Sequence, residues 1–228
     1  MPIKLNVTEF NKRIGADVVD ASGGVLFQAI NKIPIPGNRH SIVIGVGGSG
    51  SATVEEVKKL VQAKFKDWQN RVAFLAIDAD LPELNSRKLL TESEKHGLAC
   101  DPGANARWHR EGERKPEIKK WVNKSFYADV QDSGGAGRIR QAAKARLYDF
   151  GVANNPNDNQ LLTKIKQVFN NLGVMPGQEV QIYISLGLAG GTGSGLVIDI
   201  ADLVNRAAPA GVGCRITSFF YLPDTVEQ

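Results

Sequence analysis

Three glycine-rich turns, each placed where an extended run or a loop gives way to a helical pattern, constrain this chain more than any other feature. They are Gly45-Val46-Gly47-Gly48-Ser49-Gly50, Ser133-Gly134-Gly135-Ala136-Gly137 and Gly187-Leu188-Ala189-Gly190-Gly191-Thr192-Gly193-Ser194-Gly195. They hold twelve of the 24 glycines in 228 residues, so the excess over the ~7% of an ordinary protein is local. Glycine is needed where backbone takes a positive φ or comes close to a ligand. At the start of a helix the first N–H groups have no intrahelical partner and carry the positive end of the dipole. A glycine turn there lets those groups reach phosphate oxygens with no Cβ between, and a nearby Ser or Thr adds a donor.

The segments around these turns read as an α/β domain. Residues 41–46, Ser-Ile-Val-Ile-Gly-Val, form a β-branched run ending in glycine, as a buried parallel strand does. Thr53 and Glu56 have capping-box form, and Val54, Val57, Val61 and Phe65 recur at helical spacing. Residues 71–77 predict a second buried strand ending at Asp78-Ala79-Asp80, after which Pro82 suits the first turn of a helix. Strand, helix, strand is the unit of a parallel sheet. Further on, 138–150 read as a helix leaving the second glycine turn, and Asn154 to Asp158 as a break. A helix face follows on Leu161, Leu162, Ile165, Val168, Phe169 and Leu172, stopped by Gly173. Residues 180–186 predict a strand into the third turn, 196–208 a largely buried helix, and 214–221 a last strand. Residues 1–40 read as an arm or cap, 41–228 as the domain proper, and 97–128 as a surface excursion.

Other totals narrow the function. Cys100 and Cys214 cannot build a disulfide framework or a zinc site, so the chain reads as cytoplasmic. No run approaches the ~20 apolar residues of a membrane span, and no secretory leader follows Met1. A net charge of +4 is a weak argument for nucleic acid, and the basic stretch from Arg107 to Lys120 is interrupted by Glu111, Glu113 and Glu117. His40, His96 and His109 have no spacing that argues for catalysis and read as surface or loop residues; Trp68, Trp108 and Trp121 read as packing anchors.

The first turn fits GxGxxG, the dinucleotide fingerprint, between a strand and a helix. It is not a P-loop, because the Gly-Lys-Ser/Thr ending is missing. A turn that needs small residues and binds nothing is the plain alternative. The third turn is more specific: Ala189-Gly190-Gly191-Thr192-Gly193-Ser194-Gly195 resembles the signature of the tubulin and FtsZ superfamily at every position. Residues 45–50 resemble that family's first phosphate loop, 71–81 its second strand and acidic loop, and Asp132 to Arg138 its γ-phosphate loop.

The resemblance implies a Rossmann-like three-layer α/β sandwich, a mostly parallel sheet flanked by helices, that binds GTP or GDP with magnesium. It gives Gly47, Gly48, Ser49 and Gly50 to the α/β-phosphates and Gly190, Gly191, Thr192, Gly193 and Ser194 to the opposite cradle. Gly135, Ala136 and Gly137 would close over the γ-phosphate. Asp78 would lie beside the nucleotide and Asp80 at the magnesium, their plain alternative being loop acids or a helix cap. Ala52 stands where many relatives carry a hydrogen-bonding side chain, a contact Ser51 would supply. Leu222-Pro223-Asp224 would approach the ribose. The family stacks head to tail into filaments, and a neighbour's acidic loop, on a second domain expected beyond Gln228, activates water. The isolated chain is therefore expected to bind nucleotide with little hydrolysis, in a filament-forming GTPase. Two alternatives stand beside this. One is a module of the same fold that senses nucleotide or scaffolds a partner protein without polymerising. The other is a Rossmann oxidoreductase, which wants an acid ~20 residues past the glycines, where Asp78 comes 28 past Gly50.

Overall fold

The computed structural model describes residues 39–98, 135–136, 139–148 and 157–222. Nearly all of the expected arm, residues 99–128 of the excursion, Gly137, His109, Trp108, Trp121, Cys100 and Pro223-Asp224 lie outside them. Five strands, β1 (His40–Val46), β2 (Val72–Asp78), β3 (Lys95–Gly97), β4 (Glu179–Gly187) and β5 (Gly213–Tyr221), form one sheet in the order β3-β2-β1-β4-β5, every pair parallel. The helices are α1 (Gly47–Lys64), α2 (Leu81–Ser86), α3 (Arg140–Tyr148), α4 (Asn157–Asn171) and α5 (Gly191–Ala207).

Parallel strands are covered on both faces, and alternation along each strand divides the core in two. Ile42, Ile44 and Val46 of β1, with Leu75, Ile77, Val180, Ile182, Ile184 and Leu186, face one side and pack on Leu147, Leu161, Ile165, Leu196 and Ile200 of α3, α4 and α5. Val43, Phe74 and Ala76 face the other and meet Val54 of α1 and Leu84 of α2. The result is a three-layer α/β sandwich. No helix among the described residues is long and apolar enough to cross a membrane.

The boundaries depart from the sequence reading in instructive ways. The first helix begins at Gly47, not near Thr53, which lies in its interior; the Thr53 hydroxyl donates back to the Ser49 carbonyl at 2.9 Å and lies 2.9 Å from the Tyr221 hydroxyl. The capping-box reading fails because apolar periodicity starts only at Val54, while the glycines already wind the first turn. For the same reason α5 starts at Gly191, five residues before Leu196. Asn157 and Asp158 belong to α4 rather than to a break before it. Pro82 does sit in the first turn of α2, whose N-cap Asp80 accepts from the Glu83 amide at 3.0 Å. His40 and His96 are not surface residues. His40 opens β1, buried with Nδ1 unpartnered, and burial with nearby Arg71 pulls its pKa down. His96 lies in the short strand β3, where burial first and Lys164 second push it down to about 4. Three residues are too few for a period-2 pattern, so β3 had no sequence signal.

Candidate functional site

The strand order creates the site. The chain leaves β1 toward β2 and β3, then returns to the other side of β1 with β4 and β5. Connections therefore diverge at the carboxyl ends of β1 and β4, where open α/β sheets leave a crevice. Helix α1 leaves β1 on one face and α5 leaves β4 on the other. Their first turns meet across the strand ends: a Cβ on Gly47 would stand 3.1 Å from the Gly193 amide nitrogen. Gly47 takes φ +78°, a conformation costly to any L side chain. Gly45 and Gly50 permit the approach of α1 to the sheet, since a Cβ on Gly50 would lie 2.3 Å from the Ser185 carbonyl oxygen and one on Gly45 would lie 2.2 Å from that of Gly50.

A small open pocket of about 130 Å³ lies there, lined by Val46, Gly47, Gly48, Ser49, Asp78, Asp80, Glu83, Gly135, Gly187, Gly190, Gly191, Thr192 and Gly193. Neither α1, with N-cap Val46, nor α5, with N-cap Gly190, has a side-chain cap or an acidic residue in its first turn. Two sets of unpaired N–H groups and two positive dipole ends thus converge on one cavity.

Opposite them sits negative charge. Asp78 ends β2, only 2% exposed. Its Oδ1 accepts from the Asp80 amide at 3.2 Å, while Oδ2 is buried with no partner. Burial is the largest cause of a carboxyl pKa pushed up to about 6; the Asp80 and Ala79 amides oppose it, and the Glu83 and Asp80 charges reinforce it. Glu83 stands against Gly48, whose added Cβ would meet the Glu83 carboxylate oxygens at 2.5 and 2.7 Å. Arg87 holds Glu83 at 2.9 Å. Among the described residues no three His, Cys, Asp or Glu side chains converge tightly enough to hold a metal alone. An orphaned carboxylate oxygen beside an anion seat fits magnesium of the usual kind, held by one or two carboxylates together with phosphate oxygens and water.

The fold thus brings together Gly47, Gly48, Ser49, Asp78, Asp80, Gly135, Gly190, Gly191, Thr192 and Gly193. Four other sequence-chosen residues do not line the cavity. Gly50 is buried against β4, and the Ser51 hydroxyl is buried without a partner, so it cannot replace the contact missing at Ala52. Ala136 belongs to the core at 4% exposure. The Ser194 hydroxyl is engaged outside the cavity, donating to the Gly190 carbonyl at 2.5 Å and accepting from Arg140 Nε at 3.1 Å. Gly137 lies outside the described residues. Asp80 is the N-cap of α2 and also lines the cavity. The reading missed Glu83, although Asp80-x-x-Glu83 has the spacing of a helix start, and it missed Gly187 as lining.

Residues 42–228 match the tubulin-like family. No curated protein matches the chain. Among solved structures, CetZ from Methanosaeta thermophila strain DSM 6194 is similar at 17% identity and a TM-score of 0.47, over 80% of this chain and 36% of that one. A GTPγS-form protofilament of TubZ from Bacillus thuringiensis serovar israelensis is similar at 16% identity and a TM-score of 0.47, over 79% of this chain and 36% of that one. The chain spans little more than a third of the length of either.

Proposed function

The chain belongs to the tubulin-like family, and from that premise we propose that its pocket binds the phosphates of a guanine nucleotide together with magnesium. What carries the reading is the convergence of two uncapped helix N-termini on a cavity whose far wall is the buried, half-unpartnered Asp78. The amides opening α1 and α5 would donate to phosphate oxygens, each helix end contributing about 0.3–1 kcal/mol, up to ~2 where partly buried. Asp78 and Asp80 would hold the magnesium, and Gly135 would meet the terminal phosphate. When bound, the ion supplies charge neutralisation across the phosphate oxygens. Glu83, tied to Arg87, adds a carboxylate to the cavity wall. Choice of guanine, head-to-tail self-association and a cytoplasmic setting come with the family. There a neighbouring subunit supplies the group that activates water, so the chain alone should hydrolyse little.

Gly190 gives the cleanest test. Substituting Gly193 would disturb the fold, because a Cβ there would meet the Val46 carbonyl oxygen at 2.8 Å and Leu186 Cβ at 2.9 Å. A Cβ on Gly190 meets only the Gly187 carbonyl oxygen, at 3.8 Å. Gly190→Ala should therefore leave the melting temperature unchanged and weaken binding of fluorescent GTP in magnesium by about tenfold, equivalent to about 1.4 kcal/mol. Equal or tighter binding of NAD than of GTP, or full GTP binding by the variant, would sink the reading. Nucleotide-dependent pelleting distinguishes a filament from a non-assembling module.

A further inference from the structure

Arg146, on α3, is a guanidinium buried to 6% exposure. It follows Ile139, Ala142 and Ala143 at the i, i+3, i+4, i+7 spacing of a buried helix face. An apolar side chain would fill that place without the desolvation of a cation. The guanidinium reaches instead toward two carbonyls from separate pocket-lining segments: Nη1 donates to Ala79 O at 3.1 Å and Nη2 to Gly135 O at 3.5 Å. The first contact has a direct line to the site. Ala79 O belongs to the Ala79–Asp80 peptide, and the N–H of that same peptide donates to Asp78 Oδ1 at 3.2 Å. Arg146 thus fixes the tilt of a peptide plane whose other edge orients the buried carboxylate, and hydrogen bonds in such a chain polarise one another.

We propose that Arg146 is a positioning residue, which through the Ala79–Asp80 peptide aims Asp78 at the cation and ties that aim to the loop at Gly135. This rests on the reading of the pocket as a magnesium–nucleoside triphosphate site. Because one planar fork spans both carbonyls, the cation-facing carboxylate and the segment beside the terminal phosphate move as a unit. Magnesium should therefore favour triphosphate over diphosphate only while the fork is intact. Lysine keeps the charge but as a compact point donor cannot bridge both oxygens.

The test uses the full chain as wild type, Arg146→Lys and Arg146→Met. Binding of GTP and GDP is measured by calorimetry, with magnesium and with chelator, beside ligand-free melting curves. Residues that orient metal ligands typically carry about 10–100-fold of metal affinity, so both variants should lose at least about tenfold of the magnesium-dependent gain for GTP while GDP binding in chelator is unchanged. If Arg146→Met does not fold, Arg146→Lys decides alone. Full retention of the gain by Arg146→Lys overturns the proposal, as does an equal loss of GDP binding in chelator, which would make Arg146 a general strut. A wild type that binds neither nucleotide refutes the functional reading itself, a result distinct from either.

Discussion

Replacing Asp78 with asparagine separates the stability of this domain from its chemistry. The carboxyl is 2% exposed and its pKa is raised from 3.8 to about 6, mainly by burial. The sign follows from proton binding. Between those values the folded state holds a proton more tightly than the unfolded chain does, so stability falls as pH rises through this window and the ionised carboxylate is a net cost above it. At about 1.36 kcal/mol per pH unit the cost at neutral pH is about 3 kcal/mol. Asparagine keeps an acceptor for the Asp80 amide, which Asp78 Oδ1 now takes at 3.2 Å, and carries no charge. Ligand-free Asp78→Asn should therefore be more stable than wild type at pH 8 by up to about 3 kcal/mol, an upward melting shift of roughly 6–12 °C for a domain of this size. The advantage should shrink through pH 6 to 4 and vanish below pH 4. The assay is a melting series across pH 3.5–8 in chelator, followed by nucleotide titration with magnesium, where the variant should lose the metal-dependent gain. A variant less stable than wild type at pH 8, or one whose advantage ignores pH, would refute the account of Asp78 as a strained carboxylate awaiting a cation.

Two further substitutions test the frame that holds the pocket. Gly50→Ala would drive a methyl to 2.3 Å from the Ser185 carbonyl oxygen, so α1 should lift from the sheet at a cost of about 1–3 kcal/mol, read as a lowered urea midpoint. Lys58 is buried at 3% exposure, pairs with Glu94 at 2.5 Å, donates to Leu89 O at 3.0 Å and lies 5.8 Å from the Trp68 ring centroid. Lys58→Met should cost about 3 kcal/mol by leaving Glu94 without its cation, and adding Glu94→Gln should recover part of that. A double variant no more stable than the single one would show that the ion pair is not the source.

How far the sequence could be read follows from the range of each interaction. The β-branched run at 41–46 announced a buried strand, because a parallel strand is apolar on both faces wherever it lies, and residues 180–186 announced another strand. The seven-residue turn at 189–195 announced the family, because a backbone cradle tolerates few side chains. Boundaries were less legible: α1 and α5 start inside their glycine turns, where helical winding is imposed by packing against β1 and β4 and not by propensity.

Within the turns the division is sharper. The resemblance to the tubulin and FtsZ superfamily picked out Gly47, Gly48, Gly190 and Gly191, and the fold sets all four around one cavity. Which neighbours line the cavity depended on where the sheet puts them. Gly50 and Ser51 turn into the packing of α1, Ala136 into the core, and Ser194 toward Arg140. His96 gained its lowered pKa and Arg146 its bridging role only from burial, and exposed Glu83 its place in the site only from standing against Gly48, because each depends on partners far away in the chain. Local pattern fixes what the backbone can hold. The order in which five parallel strands lie side by side fixes what it holds it against.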